Sequence, residues 1–442
     1  MKESLRIGVF VGAFPVASET FIVRQITGLL ELGHDVHIFA NARSDDAVIH
    51  DAVQRHGLLK RTTFVEGPPE SVIWEMPVRP VRGETWLPGA EQPISNVARL
   101  AHAFPVLEHC ANAAPQIARQ VLAQREYRYR AQSLSGAYRL ATLLESRQQF
   151  DVLHAHFGPV ANAFRFARDV FYAPLVVNFH GFDFCTVPRR EGRDVYEPLW
   201  PVADVVIANS SYTRGRLLAL GCPEQKLRIL PVGLDPSHFE FRERRLAAGE
   251  TLRLLTVARL VEIKGHEYAL RAMVKLQERH PNVRYDLIGD GPLRKKLTAL
   301  VAELGLSEVV TFHGSRSEAD VREFFARAHA FLLTSVSVEG DEEGQGLALQ
   351  EAQACGLPVV ATQHGAFPEG VAPENTSWLV PERNVDALAS KLNELVSAED
   401  QWPLIGRAGR NFVEQRYDIR ELNRKLVCIY AETIEEFQSA RT

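Results

Sequence analysis

The stretch Glu339–Thr362, EGDEEGQGLALQEAQACGLPVVAT, holds two carboxylates, Glu343 and Glu351, that are separated by seven residues. The glycine-containing turn after the first carboxylate consists of Gly344, Gln345 and Gly346. Glycines that lead into a helix expose free backbone N–H groups, and the helix dipole adds positive potential, so the turn predicts an anion site suited to diphosphate. Carboxylates repel the anion itself but accept hydrogen bonds from sugar and ribose hydroxyls. The stretch therefore predicts a pocket for a nucleotide sugar.

The composition indicates a globular protein of two domains. A chain of 442 residues exceeds one ordinary hydrophobic core and fits two domains of about 200 residues each. With 46% hydrophobic and 24% charged residues, it falls in the soluble globular class. A net charge of −5 argues against a general nucleic-acid binder, so we expect no nucleic-acid partner.

Cysteines and apolar segments predict the compartment. The five cysteines are scattered, odd in number and never arranged as C-x-x-C, which predicts free thiols in a reducing cytoplasm and no zinc site. The opening residues, MKESLRIGVFVGAFP, contain too short an apolar run for a signal peptide. No window reaches the ~18 uninterrupted apolar residues that indicate a membrane span. We expect a cytoplasmic protein, placed at the inner face of the plasma membrane if its acceptor is lipid-linked.

Short β-rich runs alternate with longer helical patterns, which indicates parallel sheets with crossover helices. In the first half the predicted strands are Leu5–Gly12, Asp35–Ala40, Val152–His156, Leu175–His180, Asp204–Asn209 and Leu227–Val232. In the second half they are Leu252–Ala258, Val283–Ile288, Val309–Phe312, Phe331–Thr334 and Leu357–Ala361. The polar segment Gly233–Glu250 between them is the predicted linker. The repeated pattern predicts an α/β fold of two Rossmann-like domains that face each other across a cleft.

Residues 41–150 interrupt this pattern and predict a helical insertion in the first domain. From Arg119 to Arg147 the insertion holds six arginines against two glutamates, with tyrosines between them. One interpretation is a solvated helical pair that decorates the domain. The other is a surface that contacts an anionic membrane or a phosphate-bearing acceptor.

Arg259 and Lys264 follow the first strand of the second half, in the sequence VARLVEIKG. Ligands of open α/β sheets bind at the carboxyl ends of strands, and two cations there would neutralise the charge that grows on a departing nucleoside diphosphate. The alternative is ordinary surface charge. The sequence contains no Asp-x-Asp loop suited to Mg²⁺. We therefore expect no metal requirement and no cofactor, since a nucleotide sugar would be a substrate.

Two glycines at strand ends are further candidates for donor binding. Gly289, in LIGDGPLRKKL, allows either close backbone approach to a ligand or an ordinary strand–helix turn. Gly12 ends the first strand, where its backbone is a candidate for contact with the diphosphate. The loop after Gly12 lacks the G-x-G-x-x-G fingerprint, which argues against an NAD enzyme.

Histidines cluster at two strand ends, in His154-Ala-His156 and in His180-Gly-Phe-Asp183. Strand alternation points His154 and His156 to the same side. A metal pair would lack a third ligand, so we expect one histidine at the cleft and the other in the interior. His156 and Asp183 are candidates for contact with the acceptor, and the alternative role of Asp183 is to orient His180.

The Glu-x7-Glu run and the Ala-x-Ala-Cys-Gly-Leu-Pro-Val-Val-Ala-Thr that accompanies it resemble the retaining GT-B glycosyltransferases of family 4. The sequences SETFI, HAHFG, FHGFD, VARLVEIKG and GDEEG are most similar to the branch that makes exopolysaccharides such as colanic acid. The resemblance covers nearly the whole chain and is strongest over Leu252–Glu369. The chain departs from the family after Gly12, where paired glycines are missing, and at Ala366, which replaces a glycine of the Gly-Gly-x-Pro-Glu turn.

The resemblance implies a GT-B fold, with residues 1–235 as the acceptor-side domain and residues 236–418 as the domain that binds the nucleotide sugar. The final helix, about residues 419–442, would pack back on the first domain. The implied reaction transfers a hexose from a nucleotide diphosphate sugar, with retention. We expect a UDP-sugar as the donor, with GDP-mannose as the second choice. The implied acceptor is a growing oligosaccharide, lipid-linked in exopolysaccharide or cell-surface polysaccharide biosynthesis.

The resemblance also implies roles for individual residues. Arg259 and Lys264 match the pair that binds the leaving diphosphate, and His180 matches the histidine that faces the transferred sugar. Glu343 would hold the donor sugar, and Glu351 would accept hydrogen bonds from the ribose.

Two other functions compete with this one. A phosphorylase of the same architecture would need a pyridoxal-phosphate lysine, and the sequence shows no such motif. A catalytically silent sugar-nucleotide sensor or partner subunit would bind the donor without turnover. The presence of all four of Arg259, Lys264, Glu343 and Glu351 argues against the sensor, because a silent protein need not keep them.

Overall fold

The computed structural model describes residues 4–16, 19–44, 50–65, 96–123, 134–372 and 377–440. The strands of the first half are β1 (Arg6–Phe14), β2 (Asp35–Arg43), β3 (Thr62–Phe64), β4 (Val152–His156), β5 (Leu175–Phe179), β6 (Val205–Ala208) and β7 (Leu227–Ile229). They form one parallel sheet in the order β3-β2-β1-β4-β5-β6-β7. The central strands β4, β5 and β6 are buried along their whole length, as apolar runs predict for a parallel sheet.

Helices connect these strands. They are α1 (Thr20–Glu31), α2 (Asp51–Arg55), α3 (Asn96–Ala113), α4 (Pro115–Leu122), α5 (Ser135–Glu145), α6 (Gly158–Phe164), α7 (Ala167–Phe171), α8 (Thr186–Glu191) and α9 (Ser211–Ala219). Short 3-10 helices cover Leu58–Arg61 and Glu224–Lys226. The amphipathic α1 packs against the sheet, where it buries Ile22, Val23, Ile26 and Leu29 in the core of the first domain.

The second half repeats the arrangement. Its strands are β8 (Leu252–Val257), β9 (Val283–Ile288), β10 (Val310–Gly314), β11 (Ala330–Leu333), β12 (Val359–Thr362) and β13 (Ser377–Val380). Its helices are α10 (His266–Arg279), α11 (Arg294–Glu303), α12 (Glu318–Arg327), α13 (Leu347–Ala354), α14 (Phe367–Gly370), α15 (Val385–Ser397) and α16 (Trp402–Arg416). Further 3-10 helices cover Pro236–His238, Glu262–Lys264 and Glu399–Gln401. The parallel sheet runs in the order β10-β9-β8-β11-β12-β13, and the predicted pair of Rossmann-like domains is confirmed.

Each sheet changes its direction of winding beside its first strand. β1 lies between β2 and β4, and β8 lies between β9 and β11. Ligands of open α/β sheets bind outside the carboxyl ends of strands at such points. The two edges approach each other, since a Cβ added to Gly344 would lie 2.3 Å from the backbone carbonyl oxygen of His180, which follows β5. The cleft between the domains is therefore built from strand carboxyl ends on both sides.

The last helix, α17 (Ile419–Ser439), returns to the first domain. It packs against α1, and its residues Leu422, Leu426 and Tyr430 belong to the core of the first sheet. The chain passes between the domains at Leu234 and again at Asp418, two residues that pair side by side. The return predicted for residues 419–442 is thus seen over most of that range.

The sequence patterns miss two strands. β3 and β13 are three and four residues long and lie at sheet edges, so each gives only a short signal in the sequence. The prediction of a helical insertion over 41–150 needs correction for the same reason. Residues 41–43 extend β2 and residues 62–64 form β3, while the described helices of this range are α2 to α5 and the 3-10 helix Leu58–Arg61.

The arginine-rich segment Arg119–Arg147 lies only partly within the described residues, which exclude 124–133. Arg119 is exposed on α4, whereas Arg139 donates to Asn41 Oδ1 at 3.1 Å and lies over the Phe164 ring. Membrane contact through this segment stays a prediction. Among the described helices, none has the combination of length and apolar character that a membrane span requires.

Candidate active site

The loop after β8 positions the two predicted cations. Lys264 ends a 3-10 turn. The next residue, Gly265, has a left-handed φ of 59° and caps the start of α10. A Cβ on Gly265 would lie 2.0 Å from the Thr334 carbonyl oxygen, so glycine is required both by conformation and by space. The turn directs Lys264 towards the loop after β11. Arg259 is exposed at the start of the same loop.

Lys264 forms a close ion pair with Glu343. The Lys264 Nζ lies 2.6 Å from Glu343 Oε1, and the two side chains are 16% and 17% exposed. Burial disfavours the charged carboxylate, but the charge and hydrogen bond of Lys264, together with His364, outweigh this effect. The pKa of Glu343 therefore lies below its usual value, and the charge of Arg259 lowers it further. The structure thus brings together three residues that the sequence predicted as one site.

A histidine that the sequence analysis missed holds the backbone of Glu343. The Glu343 N–H donates to His364 Nε2 at 3.0 Å, so the proton of a neutral ring lies on Nδ1, which donates to Glu382 Oε1 at 2.6 Å. The next residue, Gly365, has a φ of 47° and packs where a Cβ would meet the Glu343 carbonyl oxygen at 2.4 Å. His364 is fully buried. The sequence indicated a role for His364 only through its position directly before the Gly-Ala-x-Pro-Glu turn.

The turn after Glu343 joins the two domains. Gly344 lies against the His180 carbonyl, and Gly346, with φ 79°, precedes α13. Gln345 is buried, and its side-chain amide exchanges two hydrogen bonds with the backbone of Val232, at 2.7 and 2.8 Å. Gln345 was predicted as a donor-binding residue. Its amide is instead engaged with the first domain, so the side chain positions the turn that carries Glu343.

Glu351 lies on the face of α13 that looks across the cleft. Its Oε1 is 3.8 Å from Nη1 of Arg24, a residue of α1 in the first domain. The same guanidinium donates through Nη2 to Glu318 Oε1 at 2.6 Å, and His50 Nε2 lies 3.0 Å from Glu318 Oε2. Burial raises the pKa of Glu351 to about 7, with Arg24 acting against this shift and Glu318 adding to it. Arg24 was not predicted, because a single arginine on an amphipathic helix carries no motif.

Two glycines of the predicted donor site differ in what the protein demands of them. Gly289 has a φ of 129°, and a Cβ would lie 2.0 Å from the Ala258 carbonyl oxygen, so glycine is needed to pack β9 against the loop that carries Arg259. At Gly12 a Cβ would meet only Val160, at 3.9 Å. Nothing within the described protein requires glycine at position 12, which leaves ligand contact as the predicted reason for it.

The histidines of the first domain form a buried series. His154 Nε2 lies 2.9 Å from Asn178 Oδ1, and its Nδ1 lies 2.5 Å from the Tyr430 hydroxyl. His156 Nδ1 lies 3.1 Å from His180 Nε2. Burial lowers the pKa of His154 to about 4 and that of His180 to about 3, so these rings are neutral at physiological pH.

The orientation of His180 bears on its predicted role. Its Nε2 is engaged with His156, and its Nδ1 is buried without a partner. A hydrogen bond from His180 to a sugar hydroxyl in this orientation would therefore have to use Nδ1. Of His154 and His156, one was predicted at the cleft and the other in the interior. Both are buried, so that prediction is wrong for the cleft position. The described residues contain no group of three or more His, Cys, Asp or Glu side chains placed to hold a metal ion.

Asp183 does not meet an acceptor, in contrast to one of the two predicted roles. The residue is fully buried, and its carboxylate accepts hydrogen bonds from the backbone N–H groups of Gly158, His180 and Gly181 at 2.8 to 3.2 Å. Burial raises its pKa to about 6 against the lowering effect of these bonds. The alternative role holds, since Asp183 fixes the backbone of the loop that carries His180.

A second carboxylate bridges the domains on the other side of the turn. Glu369 accepts hydrogen bonds from the first two N–H groups of α9, Ser211 at 2.8 Å and Tyr212 at 2.7 Å. Free N–H groups at a helix start favour a negative charge. Glu369 therefore holds the second domain against the first domain in the conformation described.

Two family profiles match the chain. The family described as Glycosyl transferases group 1 matches residues 237–412, and the family described as Glycosyltransferase Family 4 matches residues 96–238. The first match contains the loop of Arg259 and Lys264 together with Glu343 and Glu351.

Relatives match over nearly the full length. The protein that carries the name colanic acid biosynthesis glycosyltransferase WcaL in Salmonella typhimurium is 30% identical over 434 residues, 96% of this chain and 99% of that protein. The amylovoran biosynthesis glycosyltransferase AmsK of Erwinia amylovora is 29% identical over 426 residues, 94% of this chain and 96% of its own length.

Solved structures share the fold. Alr3699/HepE of Anabaena, crystallised with UDP, superposes with a TM-score of 0.70 at 16% identity and covers 97% of this chain and all of its own. The sucrose-phosphate synthase of Thermosynechococcus elongatus gives a TM-score of 0.68 at 19% identity over 98% of this chain and all of its own. With the two parallel sheets, the cleft and the Lys264–Glu343 pair, these matches place the chain among the family-4 glycosyltransferases of GT-B fold.

Proposed function

We propose that this glycosyltransferase transfers a hexose from a nucleotide diphosphate sugar to a growing, lipid-linked oligosaccharide in exopolysaccharide biosynthesis, with retention and without a metal ion. The observation that carries the proposal is the Lys264–Glu343 ion pair at 2.6 Å, with Arg259 beside it, at the edge where β8 ends. The names of the relatives from Salmonella and Erwinia support the pathway, since both refer to exopolysaccharide biosynthesis. The UDP in the Anabaena structure makes UDP-sugars the first donors to test.

In the proposed reaction, the two cations of the site act on the leaving group. The bond between the anomeric carbon and the diphosphate oxygen breaks, and its electron pair leaves with the nucleoside diphosphate. Arg259 and Lys264 stabilise that charge, which is the function that Mg²⁺ serves in metal-dependent enzymes. The acceptor hydroxyl oxygen forms the new bond on the same face, and its proton passes to a diphosphate oxygen.

Glu343 acts on the sugar side. Its pKa lies below the usual value, so it carries a full negative charge near the positive charge that develops on the sugar ring. His364 and Gly365 hold the Glu343 backbone, so the carboxylate has little freedom to move away. Closure of the two domains over the donor excludes water and limits donor hydrolysis.

A donor panel tests the proposal. UDP-glucose, UDP-galactose, UDP-N-acetylglucosamine and GDP-mannose are each added to the protein, and thermal stabilisation and slow donor hydrolysis are measured. Glu343→Gln serves as the inactive partner, because it keeps the shape of the side chain but removes the charge. One donor that both stabilises the wild type and is hydrolysed by it, with hydrolysis lost in the variant, supports the enzyme. NMR of the transferred anomeric proton then reports retention or inversion.

Other outcomes are equally informative. Stabilisation without turnover, even with lipid-linked acceptors, supports the sensor or partner subunit instead. Inversion at the anomeric carbon overturns the retaining mechanism but leaves the transferase. No response to any donor, with a cooperative melting transition in the control, overturns the nucleotide-sugar assignment.

A further inference from the structure

Asn423 places an amide in the interior of the first domain. It lies on α17, is 1% exposed and lines a cavity together with His156 and His180. Among the described residues, neither its amide nitrogen nor its amide oxygen has a hydrogen-bond partner. Buried polar groups without partners are rare in folded proteins, so this residue indicates that the cavity takes up a polar molecule.

The packing of two helices holds Asn423 in this position. α17 packs against α1, and a Cβ added to Gly28 of α1 would lie 1.9 Å from Asn423 Nδ2. Glycine at position 28 therefore leaves the space that the amide fills. Tyr430 follows Asn423 by about two helical turns, so both side chains lie on one face of α17. That face meets the buried histidines of the first domain.

The hydrogen bonds of His154 show how α17 fixes the proton position on one ring. Asn178 Oδ1 is an acceptor and lies 2.9 Å from His154 Nε2, so Nε2 carries the proton. Nδ1 of this neutral ring is then an acceptor, and the Tyr430 hydroxyl donates to it at 2.5 Å. Burial raises the pKa of Tyr430 well above its usual value, so the hydroxyl keeps its proton.

His156 and His180 share one proton in the hydrogen bond between them, which joins His156 Nδ1 to His180 Nε2 at 3.1 Å. Burial lowers the pKa of both rings well below the usual value, so each ring is neutral and carries one proton. If His156 donates, the second proton lies on His180 Nδ1. If His180 donates, the second proton lies on His156 Nε2. Both of these outer nitrogens are buried without a partner among the described residues.

The surroundings of the two outer nitrogens favour His156 Nε2 as the place of the second proton. Buried N–H groups without an acceptor are rarer than buried acceptors without a donor. Asn423 Oδ1 is an unused acceptor on the wall of the cavity that His156 lines. The His180 ring packs instead against the rings of Phe21 and Phe157, with both centroids 4.7 Å away, and these side chains carry no polar atom.

The cavity has the size of a single water molecule. Its volume is about 10 Å³, close to the smallest space that holds a buried water. Such a water needs at least two polar partners, and His156 Nε2 and the Asn423 amide supply them.

We propose that Asn423 holds one water molecule against His156 Nε2 and so keeps the protons of His156 and His180 on their Nε2 atoms. His180 then donates to His156 and presents an unprotonated Nδ1, which accepts a hydrogen bond from a hydroxyl of the donor sugar. The sugar contact rests on the proposed function, whereas the proton positions do not. Asn423 is thus a positioning residue that acts on the sugar through His156 and His180.

The first experiment determines the proton positions in the full chain without ligand. Long-range ¹H–¹⁵N NMR of the protein labelled at histidine distinguishes a protonated from an unprotonated ring nitrogen. His156→Gln and His180→Gln assign the signals. We expect Nε2 to be protonated and Nδ1 unprotonated in both rings. A proton on His180 Nδ1 overturns the proposal, whatever the activity of the protein.

The second experiment tests whether Asn423 sets these positions. Asn423→Leu removes both amide groups at similar volume, and we expect the His180 signals to shift towards the form protonated on Nδ1. Gly28→Ala displaces the Asn423 amide without altering a histidine, and we expect a shift in the same direction. Thermal unfolding of each variant checks that the fold is kept. Unchanged His180 signals in a folded variant of either kind overturn the role of Asn423.

Thr433→Val is the matched control for these variants. Thr433 is another buried polar residue of α17, but its hydroxyl donates to the Ile429 carbonyl and it does not line the cavity. We expect its histidine signals to match those of the wild type. A shift of the same size in Thr433→Val would assign the effect to helix packing and overturn the proposal.

Calorimetry connects the proton positions to the sugar. Affinity is measured for a nucleotide sugar and for its nucleoside diphosphate, with UDP-glucose and UDP as the first pair and the donor of the panel as the second. We expect Asn423→Leu to weaken binding of the nucleotide sugar by ~5-fold, the loss of one hydrogen bond, and to leave the nucleoside diphosphate unchanged.

The other calorimetric outcomes separate the inference from the proposed function. Equal losses for both ligands would assign Asn423 a structural role, and no loss for either would remove the sugar contact, so both overturn the proposal. Wild type that binds no nucleotide sugar overturns the proposed function and the sugar contact. In that case the NMR result still decides whether Asn423 sets the proton positions.

Discussion

The two carboxylates of the Glu-x7-Glu run differ in how each is paired. Glu343 contacts Lys264 of its own domain at 2.6 Å, while Glu351 stands 3.8 Å from Arg24 of the other domain. Both side chains are 17% exposed, so burial is nearly equal. The pKa of Glu343 nevertheless lies below its usual value, and burial raises that of Glu351 to about 7.

Since burial is nearly equal, the charges around each carboxylate account for the difference: Lys264, His364 and Arg259 lower the pKa of Glu343, whereas Glu318 opposes the effect of Arg24 on Glu351. The Glu343 pair is complete without a ligand. The Glu351 pair is incomplete, so its charge and geometry depend on what binds between the domains. The site thus joins a fixed half to an adjustable half.

Removing the fixed pair should have the largest effect. Lys264→Ala takes away leaving-group stabilisation and leaves Glu343 buried without its cation, so we expect kcat to fall by ~10²-fold or more. We expect Arg259→Ala to lower kcat by a similar factor. The measurement is steady-state turnover with the donor that the panel identifies. Lys275→Ala, a lysine paired with Asp386 on the surface, is the control, and near-normal turnover of Lys264→Ala would contradict the assigned role.

Removing the adjustable pair should weaken binding more than chemistry. Glu351→Ala removes the carboxylate that the resemblance assigns to the ribose, and we expect the Kd for the nucleotide sugar to rise by ~10-fold while kcat changes less. Calorimetry with the intact donor measures it. Glu278→Ala, an exposed glutamate on α10, is the comparison. Unchanged nucleotide affinity would rule out the ribose contact.

The pH dependence should separate the two halves. Because burial raises the pKa of Glu351 to about 7, its ionised fraction grows through neutrality, and the charged form is the stronger acceptor. Affinity for the donor should therefore rise a few-fold from pH 6 to pH 8. Nucleotide sugars suit the measurement, since their diphosphate diester does not titrate there.

Variants of Arg24 and Glu351 serve as controls for this pH dependence. Arg24 opposes the raised pKa of Glu351, so Arg24→Met should move the transition to higher pH, and Glu351→Gln should abolish it. His50, which approaches Glu318, is tested with His50→Gln for any contribution of its own. A transition that persists unchanged in Glu351→Gln belongs to another group.

Chelation should have the smallest effect. With Arg259 and Lys264 assigned to the leaving diphosphate, we expect EDTA to leave turnover unchanged. Activity is compared before chelation, after it, and after Mg²⁺ is restored. A clear loss that Mg²⁺ reverses would mean that the two cations do not suffice.

The sequence predicted the cores of the sheets because buried parallel strands leave continuous apolar runs, and β4 and β9 match their predicted bounds. The Lys264–Glu343 pair was also within reach, since each residue sits in a local motif at a strand end. Arg24 could not be predicted, because its partner Glu318 lies hundreds of residues away in the sequence. His364 could not be predicted, because its partner is a backbone amide.

Asp183 and Gln345 show a second limit. Both stand in motifs that suggest ligand contact, yet each is occupied by backbone groups of the protein. A sequence shows which side chains are able to form hydrogen bonds but not whether the fold has already taken them. Burial and partners, which only the structure supplies, decide between the two.

The return of α17 to the first domain has a consequence for biosynthesis of the chain. Leu422, Leu426 and Tyr430 complete a core whose other buried members are made before residue 231. At ~5–20 residues per second, the ribosome needs roughly 10 to 40 seconds to make the intervening ~200 residues. During that time the second domain is being made, while the first domain exposes the apolar surface that α17 will cover. We therefore expect the nascent N-terminal half to be the part of the chain most exposed to aggregation before α17 is made.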